Sequence, residues 1–147
     1  MRILIIVAGK PALAFSKLAT TEYLKRLSRY GDYQLKFVKD GDSDDVSSNL
    51  LKASEGYFRI ALDERGLRPT TRELAKTLSS LEMDGSIKRL AFLIGASDGH
   101  SKELRENSDM VLSLSSMTMQ HELALVVLLE QIYRLATIKA GSPYHRD

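Results

Sequence analysis

The chain opens with a continuous aliphatic run, Ile3-Leu4-Ile5-Ile6-Val7-Ala8, stopped by Gly9 and Pro11. An apolar run of this length between turn residues is the pattern of a strand buried on both faces of a parallel sheet. The period then changes. Phe15, Leu18, Ala19, Tyr23 and Leu27 recur three or four positions apart with charged residues between them, which predicts an amphipathic helix over 15–27. Gly31-Asp32 ends it, and Tyr33 to Val38 alternates as a second strand. The acidic stretch Asp40 to Asp45 suits a loop entering a helix N-terminus, where carboxylates meet unpaired N–H groups, better than it suits a metal site. Tyr57 to Leu62 reads as a third strand and Asp63 to Pro69 as a loop. Thr70 and Glu73 have the spacing of a capping box, which starts a helix running to Met83. Leu90 to Ile94 is a further buried strand, closed by Gly95 and Gly99. A short helix at Lys102–Glu106, a last strand at Met110–Leu114, a polar turn at Ser115–Thr118 and a long helix from His121 to Ala140 complete the order.

Strands and helices alternate throughout, so the expected fold is α/β, a mostly parallel sheet with helices on both faces, in a single domain over residues 1–147. In such folds ligands sit beyond the carboxyl ends of the strands, here the loops after Leu62, Ile94 and Leu114. The segment Leu123 to Leu129 of the last helix is apolar on every side and needs cover on more than one face. A partner subunit provides that cover, and so does a central position in the core.

Composition narrows the chemistry. With 147 residues, 44% apolar and 27% charged, the chain has the make-up of an ordinary globular domain. Cysteine is absent, which excludes disulfides, thiolate catalysis and cysteine-based zinc or iron–sulfur sites, and favours a cytoplasmic location. The first apolar run is too short for a membrane span and lacks a signal-peptide cleavage pattern, so no membrane association is expected. Gly95 to Lys102 lacks the glycine spacing and the Gly-Lys-Ser/Thr ending of a phosphate loop, and Gly9 begins no dinucleotide-binding fingerprint. His100, His121 and His145 form no helical histidine pair, so no metal is expected; the serines from Ser113 to Ser116 occupy no nucleophile elbow. The net charge is only +2, but residues 15–39 hold six basic against two acidic side chains and residues 65–76 hold four against one. Either a solvated helix surface or an RNA phosphate surface accounts for these clusters. The terminal Tyr144-His145-Arg146 joins a stacking ring, a titratable base and a phosphate fork, a set suited to binding and deprotonating a nucleobase.

Taken in order, Leu62-Asp63 with Gly66, Leu93-Ile94-Gly95 with Asp98-Gly99, Ser113 to Met119 with His121, Leu129 to Arg134, and Tyr144-His145-Arg146 resemble the small SPOUT-class methyltransferases of the RlmH type. The likeness spans nearly the whole chain. It implies a homodimer whose C-terminal half is tied in a trefoil knot that binds S-adenosylmethionine. It also implies methylation of N3 of a pseudouridine in helix 69 of 23S rRNA, within the assembled 70S ribosome. Carried over by position, the cofactor contacts are Leu62, Gly95, Leu114, Ser115, Ser116, Met117, Thr118 and Met119. His145 is the candidate base, with Tyr144 to stack and Arg146 to hold phosphate, while His121 is a structural residue at the start of the last helix. The chain departs from the family pattern at Ala96, where a second glycine is usual, at Gln120 in place of a proline, and at Leu125 in place of an arginine. A nonenzymatic ribosome-binding or RNA-binding factor of the same fold, and a SPOUT enzyme acting on tRNA, are the alternative readings.

Overall fold

A computed structural model describes all 147 residues, Met1–Asp147. The aliphatic runs become five parallel strands: β1 (Arg2–Ala8), β2 (Tyr33–Val38), β3 (Phe58–Leu67), β4 (Arg89–Ile94) and β5 (Met110–Leu112). Between and after them run α1 (Ala14–Leu27), α2 (Ser43–Ala53), α3 (Thr71–Met83), α4 (Lys102–Glu106) and α5 (His121–Lys139). The sheet order is β2-β1-β4-β3-β5.

Strand periodicity divides the apolar residues between two cores. Ile3, Ile5 and Val7 of β1 with Leu90, Phe92 and Ile94 of β4 pack toward α1, α3 and α5. Leu4, Ile6 and Ala8 with Ala91 and Leu93 pack on the opposite face against Val46 and Leu50 of α2 and Leu104 of α4. Helices therefore cover both faces, as the alternation predicts. The apolar segment of α5 is explained mainly within one chain, since Leu125, Leu128 and Leu129 are all fully buried in the first core. Leu123 alone of its leucines is exposed.

The caps follow from the local sequence. Asp42 accepts from Asp45 N at 3.0 Å, so the acidic stretch begins α2. Thr70 and Glu73 form the reciprocal capping box of α3. In place of the usual proline, the Gln120 side chain caps α5 by accepting from Leu123 N at 3.0 Å. Helix α1 has no cap of its own. Instead the buried Glu122 of α5 accepts from Ala12 N at 2.6 Å and Leu13 N at 3.1 Å, fastening the two helices end to side.

Burial pushes the Glu122 carboxyl up, but the two backbone donors outweigh it and hold the group below its ordinary range. Its contribution is thus present above the carboxyl's unfolded pKa and is lost as pH falls through the lower folded value. Glu122→Ala is expected to cost about 2 kcal/mol, because two N–H groups lose a charged acceptor. Urea unfolding at neutral pH should register that loss, and wild type and variant should converge in acid.

The structure corrects two strand boundaries. β5 ends at Leu112 rather than Leu114, and β3 runs on to Leu67 through residues read from sequence as a loop. Both Leu62 and Leu67 oppose Leu112, so residues 63–66 make a detour around the end of β5 before the strand resumes. Gly66 permits this, since a Cβ there would lie 2.5 Å from the Val111 carbonyl carbon. The detour is what carries Asp63, Glu64 and Arg65 to the carboxyl end of the sheet. No helix is long and apolar enough to cross a membrane.

Candidate active site

Three strand ends converge on one cleft of about 270 Å³. The detour in β3 brings Leu62 to Arg65, the end of β4 brings Ile94 to His100, and the end of β5 with the segment after it brings Leu112 to Ser115 and Met117 to Gln120, with His121 and Ala124 of α5 at the edge. These are the three loops at which the strand order places a ligand. Of the residues assigned to the cofactor from sequence, Leu62, Gly95, Leu114, Ser115, Met117, Thr118 and Met119 line this cleft, whereas Ser116 does not. A larger cavity of about 630 Å³ lies at the amino ends of the strands, walled by Met1, Tyr33, Leu78 and Ile132 among others. It is far from every converging loop, so strand topology selects the smaller cleft.

Short backbone and side-chain hydrogen bonds shape the segment after β5. Ser113 N donates to Leu67 O at 2.7 Å, Ser113 Oγ to Ser115 O at 2.7 Å, and Met117 N to Ser115 Oγ at 3.0 Å. Thr118 Oγ1 reaches across to Glu64 Oε2 at 2.9 Å, joining this segment to the β3 detour. Ala96, in place of a second glycine, is buried and fills the α2–α4 core with its methyl group. Leu125 is buried likewise, so this chain uses the position for packing rather than for a surface charge.

The charged side chains of the cleft are Asp63, Glu64 and Asp98 against Arg65. Arg65 binds Asp63 through Nε at 2.9 Å and Nη2 at 3.0 Å, and its backbone N–H adds a third bond at 2.9 Å. Burial raises the Asp63 carboxyl, but the Arg65 bonds prevail and keep it below its usual range, so it is ionised at neutral pH. Sequence marks His100 only as a histidine without a metal partner. It is buried beneath Gly95, and no spacing rule identifies a pair five residues apart on a loop.

The C-terminal residues are gathered elsewhere. After α5, Ser142 N donates to Thr137 O at 2.9 Å and Gly141 N to Ile138 O at 3.1 Å, with Gly141 at φ +73°. This is a Schellman turn, for which glycine takes the left-handed position, and it folds the tail back along the helix. The Tyr144 ring meets Tyr133 edge-on at 4.8 Å and carries the Arg134 guanidinium at 4.8 Å. Its hydroxyl donates to Glu130 at 3.1 Å; burial and this carboxylate push the phenol up to about 12. His145 Nδ1 lies 3.2 Å from Arg134 Nη1, and Nε2 lies 2.9 Å from Asp147. Because arginine only donates, Nδ1 is the acceptor and Nε2 carries the proton. Asp147 is held by Arg72 first and by His145 second, which lowers its carboxyl to about 2. Arg146 is exposed and has no ionic partner. The tail rests on Glu130 to Arg134 while the cleft touches α5 at Ala124; six to ten residues of helix separate them, about 9 to 15 Å along its axis.

Comparison with known proteins agrees with this architecture. A family model described as predicted SPOUT methyltransferase matches residues 1–145. The chain is 44% identical over 146 residues to a ribosomal RNA large subunit methyltransferase H of Thermus thermophilus, covering 99% of each. It is 40% identical over 146 residues to the protein of the same name from Deinococcus radiodurans, again covering 99% of each. Among solved structures, a tRNA (m1G37) methyltransferase from Aquifex aeolicus superposes with a TM-score of 0.57 at 12% identity, over 100% of this chain and 75% of that one. A likeness at that identity shows the fold alone. The order of strands, the three-loop cleft and the full-length matches together place this chain in the SPOUT methyltransferase family, among the ribosomal RNA large subunit methyltransferase H proteins.

Proposed function

We propose that the protein is an S-adenosylmethionine-dependent methyltransferase of 23S rRNA, acting on N3 of a pseudouridine in helix 69 of the assembled 70S ribosome in the cytoplasm. The observation that carries the reading is the charge of the three-loop cleft, where Asp63, Glu64 and Asp98 stand against Arg65. A lining of this sign attracts a cationic ligand and offers no basic cradle for a phosphate. The full-length relatives named as rRNA methyltransferases support the same substrate class.

S-adenosylmethionine, when bound, would supply a methyl carbon on a sulfonium sulfur, open to in-line attack by a nitrogen lone pair with neutral S-adenosylhomocysteine as the leaving group. Leu62, Gly95, Leu114, Ser115, Met117, Thr118 and Met119 hold the cofactor in this reading, and Ser116 lies outside the cleft. Positioning by these loops provides much of the acceleration. The tail receives the RNA. Tyr144, kept protonated by its raised pKa, stacks and donates a hydrogen bond, and Arg146 holds phosphate. His145 accepts the N3 proton at Nδ1 once Arg134 turns from that atom to the RNA. Such a base contributes about 10²- to 10⁴-fold.

The same reading requires a homodimer. Leu13, Phe15, Leu18 and Leu123 are exposed around the point where Glu122 meets α1, an apolar surface that a second copy covers. A tail that rests far from its own cleft then serves the cleft of its partner. The trefoil knot belongs to this proposal too.

Mass spectrometry of 23S rRNA digested after methyl transfer tests the assignment. An N3-methylated pseudouridine from helix 69 is the expected product, and a methyl group on any other nucleoside would overturn the site and leave only the cofactor reading.

A further inference from the structure

We propose that His100 is a positioning residue of the cofactor cleft: its imidazole fills the space beneath the Gly95 turn and fixes where the Gly95 backbone stands to meet the ligand. The inference rests on the reading of the cleft as an S-adenosylmethionine site.

The imidazole is only 4% exposed. Its Nε2 lies 3.1 Å from Leu93 O, and since a carbonyl only accepts, the ring carries its proton there. Nδ1 is then a bare lone pair, buried and without a partner. A Cβ built on Gly95 would stand 2.8 Å from that nitrogen and 2.9 Å from Cε1. Gly95 has no left-handed backbone to demand glycine. What excludes a side chain at position 95 is therefore the His100 ring.

The rest of the loop is tied outward. Ser43 Oγ donates to Gly99 O at 2.8 Å, Ser101 N to Ser47 Oγ at 2.9 Å, and Arg105 Nη1 to His100 O at 2.7 Å. These bonds pin the loop to α2 and α4. The imidazole ties it back to β4, so the ring spans the gap between an anchored loop and the strand end that presents Gly95.

Burial lowers the His100 pKa, so the neutral ring fits this place at neutral pH; Leu93 O, Asp63 and Leu62 O act in the opposite direction and Arg105 in the same one. A second ring proton would sit beneath Gly95 and add a cation to a site for a sulfonium. The other titratable groups facing this loop are Asp63, Glu64 and Arg65 from β3, Asp98 on the loop itself, Arg105 on α4 and His121 on α5.

Calorimetric titration with S-adenosylmethionine, alongside thermal melts, tests the role on wild type, Gly95→Ala, His100→Ala, the double variant and His100→Gln. Gly95→Ala alone should weaken binding by at least about tenfold, as overpacking does. In the His100→Ala background the same methyl should change affinity by less than about threefold, because the clash is gone. His100→Gln places an amide donor where Nε2 stands, so it should fold and bind at neutral pH, and, having no group that protonates, should lose less affinity than wild type as pH falls below the ordinary histidine range. An equal loss from Gly95→Ala in both backgrounds, or an acid profile in His100→Gln the same as in wild type, would overturn the positioning role while leaving the cofactor reading intact. Absence of binding by wild type would overturn the cofactor reading itself, and the inference with it.

Discussion

Deleting Tyr144–Asp147 is expected to reduce methyl transfer by about 10²-fold or more while leaving S-adenosylmethionine affinity close to wild type. The tail's contacts are with Glu130, Tyr133, Arg134 and Arg72, none of which lines the cleft. The ion pairs lost with it are largely at the surface and contribute little stability, so the truncated chain should remain folded. Mixing gives a sharper result. A truncated chain combined with a full-length chain defective in its cleft through Gly95→Val should recover part of the activity, because one of the two sites in a mixed dimer joins an intact cleft to an intact tail. Single-turnover rates of the truncated protein that match wild type would remove the tail from catalysis, and a mixture that stays inactive would remove the exchange between protomers.

The second large effect concerns the apolar surface at the start of α1 and α5. Replacing the exposed Leu18 and Leu123 together by Glu places two charges in the proposed dimer contact, which should weaken association by about 10²-fold or more. Sedimentation should find the variant as a monomer of wild-type secondary structure at micromolar concentration. Leu128→Glu must behave differently. That side chain is fully buried among Ile132, Leu125 and the β1–β4 core of its own chain, so the carboxylate should unfold the protomer rather than separate two folded ones. A wild-type protein that sediments as a monomer would contradict the dimer directly.

The core is legible in the sequence because period alone specifies it. β1 and β4 alternate between two cores where an aliphatic run requires cover on both faces, and the Thr70–Glu73 spacing marks the start of α3. The three ligand loops follow from strand order and are visible for the same reason. The β3 detour is not, since Asp63 to Gly66 has loop composition and only the backbone of Val111 shows why Gly66 must be there. Glu122 and His100 are hidden by distance and by shape. One caps a helix more than a hundred residues away in sequence, and the other acts through the space above it, which no local pattern encodes. The tail is recognisable as chemistry, but its position is set by the Schellman turn at Gly141 and the surface of α5, so no local signal tells that it lies apart from the cleft of its own chain.

The most direct test of the account is methyl transfer from labelled S-adenosylmethionine to 70S ribosomes, isolated 50S and 30S subunits and tRNA, measured in parallel with the purified protein. Label is expected in 23S rRNA of the 70S particle, with little in free subunits and none in tRNA. Label in tRNA alone, or saturable ribosome binding with no transfer to any of the four, would contradict it.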